Sequence, residues 1–528
     1  MTKRTSVIMG GMAAAVALTT AGSVGAATPT PLYGGGSTLV EKVYRDLFNA
    51  YGSTASGDLC SGITIDPCPT SHYNSTVELL YVGVGSGNGL SALDTHDATN
   101  YVANSKKPDS TPTPSGRDFL AFYGTGTGSS WVPVAGGTPA FPKVSFSGSD
   151  NILSSTDVSS VAGLGFGSAI QIPGVVAAIA VPFNPAPNWK PSGTQPAGGS
   201  SKMQLSINTI CGIFSGAIKT WDNAEITADN KGIRLGTGPI TVVYRNDSSG
   251  TTFLFTNGLL NQCGTSGHKV AHSTHPIPNR WLIDAGVTFN PTATYHYQSG
   301  TSFFIKVFQA GHLPSNFLND MATTGVAGGA SGSGGVKAAI LNKKGSIGYV
   351  SPDFVKPVDT TGPQAANLQT YHTFSTGQTP VYIAPTPAAA TAIMASSKPP
   401  AFTGSAAPAA NPLNWGAVNP KPAAAVAYPF GGFSFIDLYT CYNSAADVSA
   451  LTGTTAGKAG YLTWYYGSST VNKGVPAAIL SKNGFAPVPG VWAAAINTLL
   501  QSNTLGIGTP KVGTQAGTKA CKTVTKGA

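Results

Sequence analysis

Short apolar runs that alternate with helical patterns constrain the fold of this chain more than any other feature of its sequence. Strands are predicted at 77–82, 175–181, 240–244 and 347–350. Helices are predicted between them, at 205–218 and 335–341, where apolar residues recur every three or four positions. Because strands that alternate with helices are typical of layered α/β proteins, the sequence predicts an α/β fold.

The length of the chain, 528 residues, predicts more than one structural unit. Domains usually hold about 100 to 200 residues, so two to four units, or two large ones with insertions, are expected. Charged residues make up only 10% of the chain, while glycine (66) and proline (38) are abundant. Two stretches, 94–142 and 378–425, have the composition of surface insertions, and both are expected to form loops.

Residues 1–27 have the organisation of a secretory signal. Lys3 and Arg4 precede an apolar run over 7–18, and small residues follow as far as Ala26 and Ala27. We expect cleavage near these two alanines. Since no later apolar stretch is long enough to span a bilayer, the mature chain is expected to be exported, to the periplasm or out of the cell, without a membrane span.

The charge of the chain predicts no nucleic-acid partner. Lys and Arg outnumber Asp and Glu by 30 to 21, which gives a formal net charge of +9. The basic residues are scattered along the chain, whereas nucleic-acid binders usually gather them into a dense stripe with interleaved aromatic residues. The excess positive charge is therefore interpreted as a general property of the surface that can attract anions.

The cysteines lie beyond the signal, and their even number predicts disulfides in an exported protein. They are Cys60, Cys68, Cys211, Cys263, Cys441 and Cys521. Many pairings are possible in principle. Pairing between neighbours is predicted, because each pair then lies in one compositional block: Cys60 with Cys68, Cys211 with Cys263, and Cys441 with Cys521. Zinc binding is disfavoured by the absence of Cys-x2-Cys spacing.

The segment 244–253, Tyr-Arg-Asn-Asp-Ser-Ser-Gly-Thr-Thr-Phe, has the chemistry of an oxyanion receptor. The guanidinium of Arg245 offers a planar fork of donors for two oxygens of a tetrahedral anion, and Asp247 can hold that fork and balance its charge. Free amides at the start of a helix favour negative charge. Hydroxyls and approachable amides at a predicted helix start are supplied by Ser249, Gly250 and Thr251. A simple N-capping loop is the alternative interpretation.

Three further segments have the same character. The segment 36–39 presents amides and a hydroxyl where a helix begins, and the spacing of Thr38 from Glu41 predicts a capping box. The segment 83–89 is rich in glycine and follows a predicted strand, and 146–150 ends in a carboxylate. A carboxylate suits an anion site only when the anion carries a proton. The anion contacts predicted from these segments are Thr38, Leu39, Ser86 and Asp150.

The order of these motifs resembles that of the phosphate-binding proteins of phosphate ABC transporters (PstS type), and it is closer still to that of the DING proteins. The motifs are Gly-Gly-Gly-Ser-Thr-Leu at 34–39, Gly-Val-Gly-Ser-Gly at 83–87, Ser-Gly-Ser-Asp at 147–150 and Arg-Asn-Asp-Ser-Ser-Gly-Thr at 245–251. The resemblance continues through 211–216, 221–222, 348–354 and 485–489. It therefore spans most of the chain after the signal.

The resemblance implies a two-lobed α/β fold of the type II periplasmic-binding-protein kind, with a ligand cleft between the lobes. Residues 28–180 and 434–528 would form lobe 1, and residues 181–433 would form lobe 2. Asp247 would support Arg245, and the cysteine pattern of the family also favours Cys211 with Cys263. The phosphate contacts of the family fall here on Thr38, Leu39 (through its amide), Ser86, Asp150, Arg245, Ser249, Gly250 and Thr251.

The implied function is the capture of inorganic phosphate by a monomeric, exported solute-binding protein that serves a phosphate ABC permease. No cofactor and no metal are expected. Asp150 would select phosphate over sulfate, because phosphate near neutral pH keeps a proton that a buried carboxylate can accept. The alternative is a secreted phosphatase of the DING or alkaline phosphatase L type. An enzyme is disfavoured, because the sequence has no Gly-x-Ser-x-Gly elbow between a strand and a helix, no Walker loop and no clustered Asp/His set.

Overall fold

The structure is a computed structural model that describes residues 29–52, 72–102, 124–125, 132–133, 143–186, 188–189, 203–263, 301–307, 315–318, 329–403, 407–467 and 474–528. The predicted signal and most of the stretch 94–142 lie outside these ranges. The strands are β1 (Thr30–Gly36), β2 (Val77–Gly83), β3 (Gly124–Thr125), β4 (Val132–Pro133), β5 (Phe146–Ser149), β6 (Ala169–Ala178), β7 (Pro182–Phe183), β8 (Gln204–Leu205), β9 (Thr241–Val243), β10 (Ser346–Gly348), β11 (Gln364–Ala365), β12 (Asn367–Gln369), β13 (Tyr382–Ile383), β14 (Gly431–Tyr439), β15 (Thr454–Thr455), β16 (Lys458–Ala459) and β17 (Ala486–Pro487).

The helices alternate with these strands. They are α1 (Glu41–Tyr51), α2 (Ser86–Thr95), α3 (Thr99–Val102), α4 (Ser155–Gly163), α5 (Ile207–Phe214), α6 (Ala224–Asp229), α7 (Gly250–Gln262), α8 (Gly332–Asn342), α9 (Tyr371–Thr376), α10 (Pro387–Ile393), α11 (Ala445–Leu451), α12 (Tyr461–Tyr466), α13 (Gly474–Lys482) and α14 (Gly490–Gln501). Within the described ranges, no helix combines the length and the apolar character that a bilayer crossing requires.

A six-stranded mixed sheet forms the larger core, in the order β17-β6-β14-β5-β1-β2. Strand β1 pairs in parallel with β2 and β5, whereas β14 runs antiparallel to β5 and β6. All residues of β5 and β6 are buried. Helix α2 packs against β5, and helices α10 and α4 pack against β6. The carboxyl ends of the parallel strands, at Gly36, Gly83 and Ser149, lie at one edge, which is where open α/β sheets usually bind ligands.

Two smaller sheets, in the orders β11-β7-β10-β9 and β13-β12-β8, form the rest of the core. The chain passes from the large sheet to these sheets after β6 and returns before β14, and the two passages lie side by side: the amide of Ile179 donates to the carbonyl of Phe430 (2.9 Å). The strands of the smaller sheets all come from 182–383. This division follows the predicted lobes, whose boundaries stay a prediction.

The predicted α/β architecture is confirmed. The strands predicted at 77–82, 240–244 and 347–350 correspond to β2, β9 and β10, and the strand predicted at 175–181 overlaps the second half of β6. The predicted helices correspond to α5 and α8.

The stretch 378–425 is not the loop that its alanine- and proline-rich composition predicted. It contains β13, α10 and two short 3₁₀ segments, and it buries Trp415 (1% exposed). The side chain of Thr386 caps α10, whose first residue is Pro387. Alanine favours helices, and proline is well tolerated in the first helical turn. The prediction was wrong because the same composition also suits a short capped helix.

Two of the three predicted disulfides are present. Cys211 in α5 is bonded to Cys263 just after α7, and Cys441 just after β14 is bonded to Cys521 near the end of the chain. Cys60 and Cys68 lie outside the described residues, so their pairing stays a prediction.

Candidate anion-binding site

The loops that follow β1, β2 and β5 are tied to one another at the edge of the large sheet. The carbonyl of Gly36 accepts hydrogen bonds from the amides of Val84 (2.8 Å) and Gly85 (2.7 Å). The amide of Ser37 donates to the carbonyl of Gly148 (2.7 Å). Three predicted anion-contacting segments therefore meet at one place.

This close approach depends on glycine. Gly36 has φ +138°, and a Cβ there would collide with the carbonyl oxygen of Gly148. In α2, a Cβ on Gly89 would lie 2.6 Å from the Cα of Gly36. The start of α2 therefore packs directly against the end of β1, because neither glycine presents a side chain.

Asp150 lies at the end of β5 and is fully buried. Each oxygen of its carboxylate accepts a hydrogen bond: Oδ2 from Ser37 Oγ (2.7 Å) and Oδ1 from Ser434 Oγ (2.6 Å). Its amide donates to Ser86 Oγ (3.1 Å). Burial raises the pKa of Asp150 to about 6, against the opposing effect of these hydroxyls and of Arg245. The carboxylate therefore keeps its charge at neutral pH, although burial opposes it.

Arg245 is also buried, with 1% of its surface exposed. Its Nε and Nη2 donate to the two carboxylate oxygens of Asp247 (2.7 and 2.5 Å), and its backbone amide donates to the hydroxyl of Tyr349 (3.0 Å). Although burial acts to raise the pKa of Asp247, the charge of Arg245 holds it below its usual value. Nη1 of Arg245 is buried and has no partner among the described residues, so one N–H edge of the guanidinium is available to a ligand.

Helix α7 begins immediately after this ion pair. Ser249 is its N-cap, and the hydroxyl of Ser249 accepts from the amide of Thr252 (3.1 Å). The alternative interpretation of Ser249 as a capping residue is therefore confirmed, and it is compatible with an anion site because a capped helix start still concentrates positive potential. The hydroxyl of Thr251 is buried and has no partner within the described part of the chain.

Gly250 brings the start of α7 against the Asp150 loop. A Cβ at this position would collide with Ser86 Oγ and would lie 2.5 Å from both Cβ and Oδ2 of Asp150. A Cβ on Gly85 would similarly lie 3.3 Å from Oδ2 of Asp247. The structure thus brings together the predicted contacts Ser86, Asp150, Gly250 and the Arg245 segment, although they are far apart in sequence.

The hydroxyl of Thr38 and the amide of Leu39 differ in their availability to a ligand. Helix α1 begins at Glu41 with Val40 as its N-cap and no side-chain cap, so the predicted capping box is absent. That prediction was wrong because α1 starts later than the spacing requires: Glu41 is its first residue, whereas a capping box needs the acidic residue at the third helical position. The hydroxyl of Thr38 is buried and unpaired in the described ranges. The amide of Leu39 donates to Ser37 Oγ (3.1 Å), so its role as an anion contact stays a prediction.

The sequence did not identify three groups that shape this site. Ser37 and Ser434 hold the carboxylate of Asp150, and the amide of Gly332 at the start of α8 donates to Oδ1 of Asp247 (3.3 Å). Ser434 could have been noticed, because Ser434 and Asp437 are polar positions in the otherwise apolar core of β14.

The unpaired groups define what the site can bind. Leaving a buried donor without a partner costs about 1 to 3 kcal/mol. The guanidinium edge of Arg245 and the hydroxyls of Thr38 and Thr251 can donate to oxygens, while the carboxylate of Asp150 can only accept. A tetrahedral oxyanion that carries a proton complements all of them. Among the described residues, no group of three or more His, Cys, Asp and Glu side chains could hold a metal ion.

The fold is that of an α/β binding protein, and the candidate anion contacts lie where the parallel strands of its large sheet end. Residues 23–413 match the family model of the PBP superfamily domain, and the chain belongs to that superfamily. Its mixed α/β architecture is the periplasmic-binding-protein fold.

Curated relatives cover most of the chain. Alkaline phosphatase L of Pseudomonas aeruginosa strain UCBPP-PA14 is 26% identical over 511 residues, which are 94% of this chain and 95% of that protein. A phosphate-binding protein of an unknown prokaryotic organism is 29% identical over 417 residues, which are 75% of this chain and 92% of that protein.

Solved structures agree with this assignment. A high-affinity periplasmic phosphate-binding protein (PfluDING), bound with phosphate at pH 8.5, is 25% identical with a TM-score of 0.55, covering 90% of this chain and 96% of that one. The ancestral soluble variant of the human phosphate binding protein is 25% identical with a TM-score of 0.56 and the same coverage.

Proposed function

We propose that this chain is an exported solute-binding protein that captures inorganic phosphate in the cleft between its two lobes. The proposal is supported by the electrostatic interaction of buried Asp150 with buried Arg245, whose Nη1 has no partner among the described residues. Relatives named as phosphate-binding proteins support it.

The proposed contacts come from both lobes. Thr38, the Leu39 amide, Ser86 and Asp150 would act from lobe 1 (28–180 and 434–528). Lobe 2 (181–433) would contribute the residues of the α7 start: Arg245, Ser249, Gly250 and Thr251. An anion held by both sets stabilises the closed arrangement of the lobes by a hinge motion. Asp247 fixes the orientation of Arg245 through two hydrogen bonds.

Selectivity for phosphate over sulfate follows from the Asp150 carboxylate, which acts as a hydrogen-bond acceptor. Hydrogen phosphate can donate its proton to the Asp150 carboxylate, whereas sulfate has no proton at neutral pH and would meet a like charge. Sites built around a buried hydrogen bond can reject an analogue that lacks it by roughly 10⁴-fold or more. Arsenate carries a proton as phosphate does and would be accepted.

Calorimetric titration of the mature protein with phosphate, arsenate and sulfate tests the proposal. Phosphate and arsenate should bind with one site per chain, and sulfate should bind at least about 10⁴-fold more weakly. Asp150→Asn should narrow the gap between phosphate and sulfate. Asp229→Asn is a matched control, because Asp229 also accepts from hydroxyls, those of Thr209 (2.6 Å) and Tyr382 (3.1 Å), in a different part of the protein. Equal affinity for phosphate and sulfate in the unaltered protein would overturn the proposal.

A phosphatase is the second candidate, because relatives that cover almost the whole chain are named alkaline phosphatase L. A receptor holds its anion and releases it unchanged, whereas a phosphatase turns over a phosphate ester. Purified protein should therefore release no phenolate from an aryl phosphate above the level of an Arg245→Ala variant. Activity that depends on Arg245 would favour the enzyme.

The cellular role is proposed as delivery of phosphate to an ABC permease from the periplasm, by a monomer. The printed names of relatives support two parts of this role: phosphate binding, in the PstS of Xylella fastidiosa, and the periplasm, in the phosphate-binding protein PfluDING.

A further inference from the structure

We infer that Ser37 and Ser434 are positioning residues that hold the Asp150 carboxylate charged and oriented, so that it accepts the proton of a protonated tetrahedral oxyanion. The inference rests on the proposed function and deepens it, since neither serine belongs to the proposed contact set.

The geometry places one hydroxyl on each carboxylate oxygen. Ser37 reaches Oδ2 (2.7 Å) from the loop between β1 and α1, and Ser434 reaches Oδ1 (2.6 Å) from the middle of β14. Ser434 Oγ also lies 3.4 Å from the carbonyl of Ser149. A hydroxyl has one proton, and the shorter contact has the geometry of a charge-assisted bond. A carboxylate offers about four acceptor positions, so positions remain for a ligand.

The burial of Ser37 and Ser434 makes their hydrogen bonds important for the charge of Asp150. Ser37 is 1% exposed and Ser434 is 0% exposed, so bulk water cannot replace either donor easily. Hydrogen bonds donated to a carboxylate favour its charged form. The two serines therefore oppose the effect of burial, which favours the neutral acid.

The other titratable groups that face Asp150 do not perform this task. Arg245 attracts the carboxylate from the α7 side and favours its charge. Tyr44 in α1 and Tyr81 in β2 also interact with Asp150, and burial raises the pKa of each tyrosine well above 10, so both stay neutral. The hydroxyl of Ser86 also favours the charged carboxylate. Arg245 and Ser86 are both proposed to bind the ligand, which leaves Ser37 and Ser434 as the hydroxyl donors to Asp150 outside the proposed contact set.

The proposed role of the two serines predicts which way the pH dependence of phosphate affinity shifts when a hydroxyl is removed. A protonated Asp150 presents an O–H donor and is a much weaker acceptor than the carboxylate, so it accepts the proton of hydrogen phosphate less well. Removing one hydroxyl raises the pKa of Asp150, so the loss of phosphate affinity on the acid side should move upward by about one pH unit, as expected for one hydrogen bond to a charged group. Removing both should move it further.

The first test measures phosphate affinity of the full mature chain by calorimetry from about pH 5 to about pH 8, around the range where a carboxyl of this kind titrates. The variants are Ser37→Ala, Ser434→Ala and the double variant. Ser147→Ala is the matched control, because Ser147 is a buried serine of the same sheet whose hydroxyl donates to another buried carboxylate, that of Asp437 (3.4 Å). If the serines had a purely structural role, their variants would lose phosphate affinity equally at all pH values, as is expected of the control. That result would overturn the inference.

A second readout does not depend on binding. The carboxyl ¹³C resonance of Asp150, assigned by its loss in Asp150→Asn, is titrated in the phosphate-free protein. Its midpoint should move upward in Ser37→Ala and Ser434→Ala and stay in place in Ser147→Ala. An unchanged midpoint overturns the inference even when phosphate binds, and a protein that binds no phosphate but shows the shift overturns only the proposed function.

Discussion

Asp150 keeps its charge at a position where the fold alone would favour the neutral acid. Its side chain is fully buried, and burial raises its pKa from 3.8 to about 6. Groups with perturbed pKa values concentrate at functional sites, because such sites are arranged for a ligand at some cost to the folded protein. At the residue scale, the ligand-free protein is therefore expected to be less stable than it would be without this charge.

Asp150→Asn should stabilise the phosphate-free protein at neutral pH. The folded pKa is raised above the ordinary value, so stability linked to this group is present below about pH 4 and is lost as pH rises through about 6. The asparagine variant has no group that ionises here and so does not lose this stability. Its free energy of unfolding should exceed that of the unaltered protein by as much as about 3 kcal/mol at pH 7.5.

Urea denaturation of both proteins in phosphate-free buffer, at several pH values, measures this difference. It should shrink towards zero near pH 4, where the carboxyl of the unaltered protein is also neutral. A difference that is constant across the pH range would show that ionisation of Asp150 is not its cause.

At the scale of elements, the start of α7 is the part of the site that must approach most closely. Gly250 touches Ser86 and Asp150 with its backbone, and any side chain at this position would occupy that space. The approach lets the positive end of a helix and the Asp150 carboxylate act on the same ligand.

Gly250→Ala should weaken phosphate binding by at least about 100-fold without unfolding the protein, since alanine favours the helix by about 1 kcal/mol while its methyl group separates the two sides of the site. Gly163→Ala is the matched control, because Gly163 ends helix α4 and a Cβ there meets nothing within 4 Å. Calorimetry with phosphate and thermal unfolding are measured for both variants. Equal affinities in the two variants would contradict the close approach.

The sequence predicted the elements of this site better than their contacts. Arg245, Asp247 and the start of α7 were predictable because they are neighbours in sequence, and local spacing reports helix starts and ion pairs. Ser434 was missed because its contact with Asp150 depends on the pairing of β14 with β5, which joins distant parts of the chain. Strand β14 itself was not predicted, although its alternating Phe433 and Phe435 resemble a buried strand.

The prediction of a capping box at Thr38 failed for a related reason. The spacing of Thr38 and Glu41 fits a capping box, but α1 begins only at Glu41, with Val40 as its N-cap. Local patterns give the residues that could pair, whereas tertiary packing decides which of them do. The hydroxyl of Thr38, which was assigned to a cap, is buried and has no partner among the described residues.

At the scale of the whole molecule, the disulfide between Cys441 and Cys521 ties the end of the chain to β14 across a separation of 80 residues. Replacing both cysteines by serine should lower the free energy of unfolding by about 4 kcal/mol, because the unfolded chain gains the entropy of an open loop. Thermal unfolding checks this. Phosphate affinity at low temperature should stay unchanged, since neither cysteine approaches the site; a loss of affinity in the folded variant would contradict that assignment.

Lys42 is expected to influence how long the cleft stays closed. It lies in α1, in predicted lobe 1, and its Nζ donates to the carbonyl of Asp353 (3.0 Å) and lies 3.7 Å from the ring centroid of Phe354, both in predicted lobe 2. It also lies 3.9 Å from Oδ2 of Asp359. These contacts would join the two predicted lobes, so we expect them to exist only while the lobes are together.

Lys42→Ala should therefore speed phosphate release while leaving association almost unchanged. Partly exposed ion pairs and cation–π contacts contribute about 1 kcal/mol together, so a rise in the dissociation rate of about 5-fold is expected. Stopped-flow fluorescence measures both rates. Lys143→Ala is the control, because Lys143 pairs with Asp447 inside predicted lobe 1 and its loss should change neither rate. If Lys42→Ala slowed association and left release unchanged, the contact would guide the anion into an open cleft rather than hold the cleft closed around it.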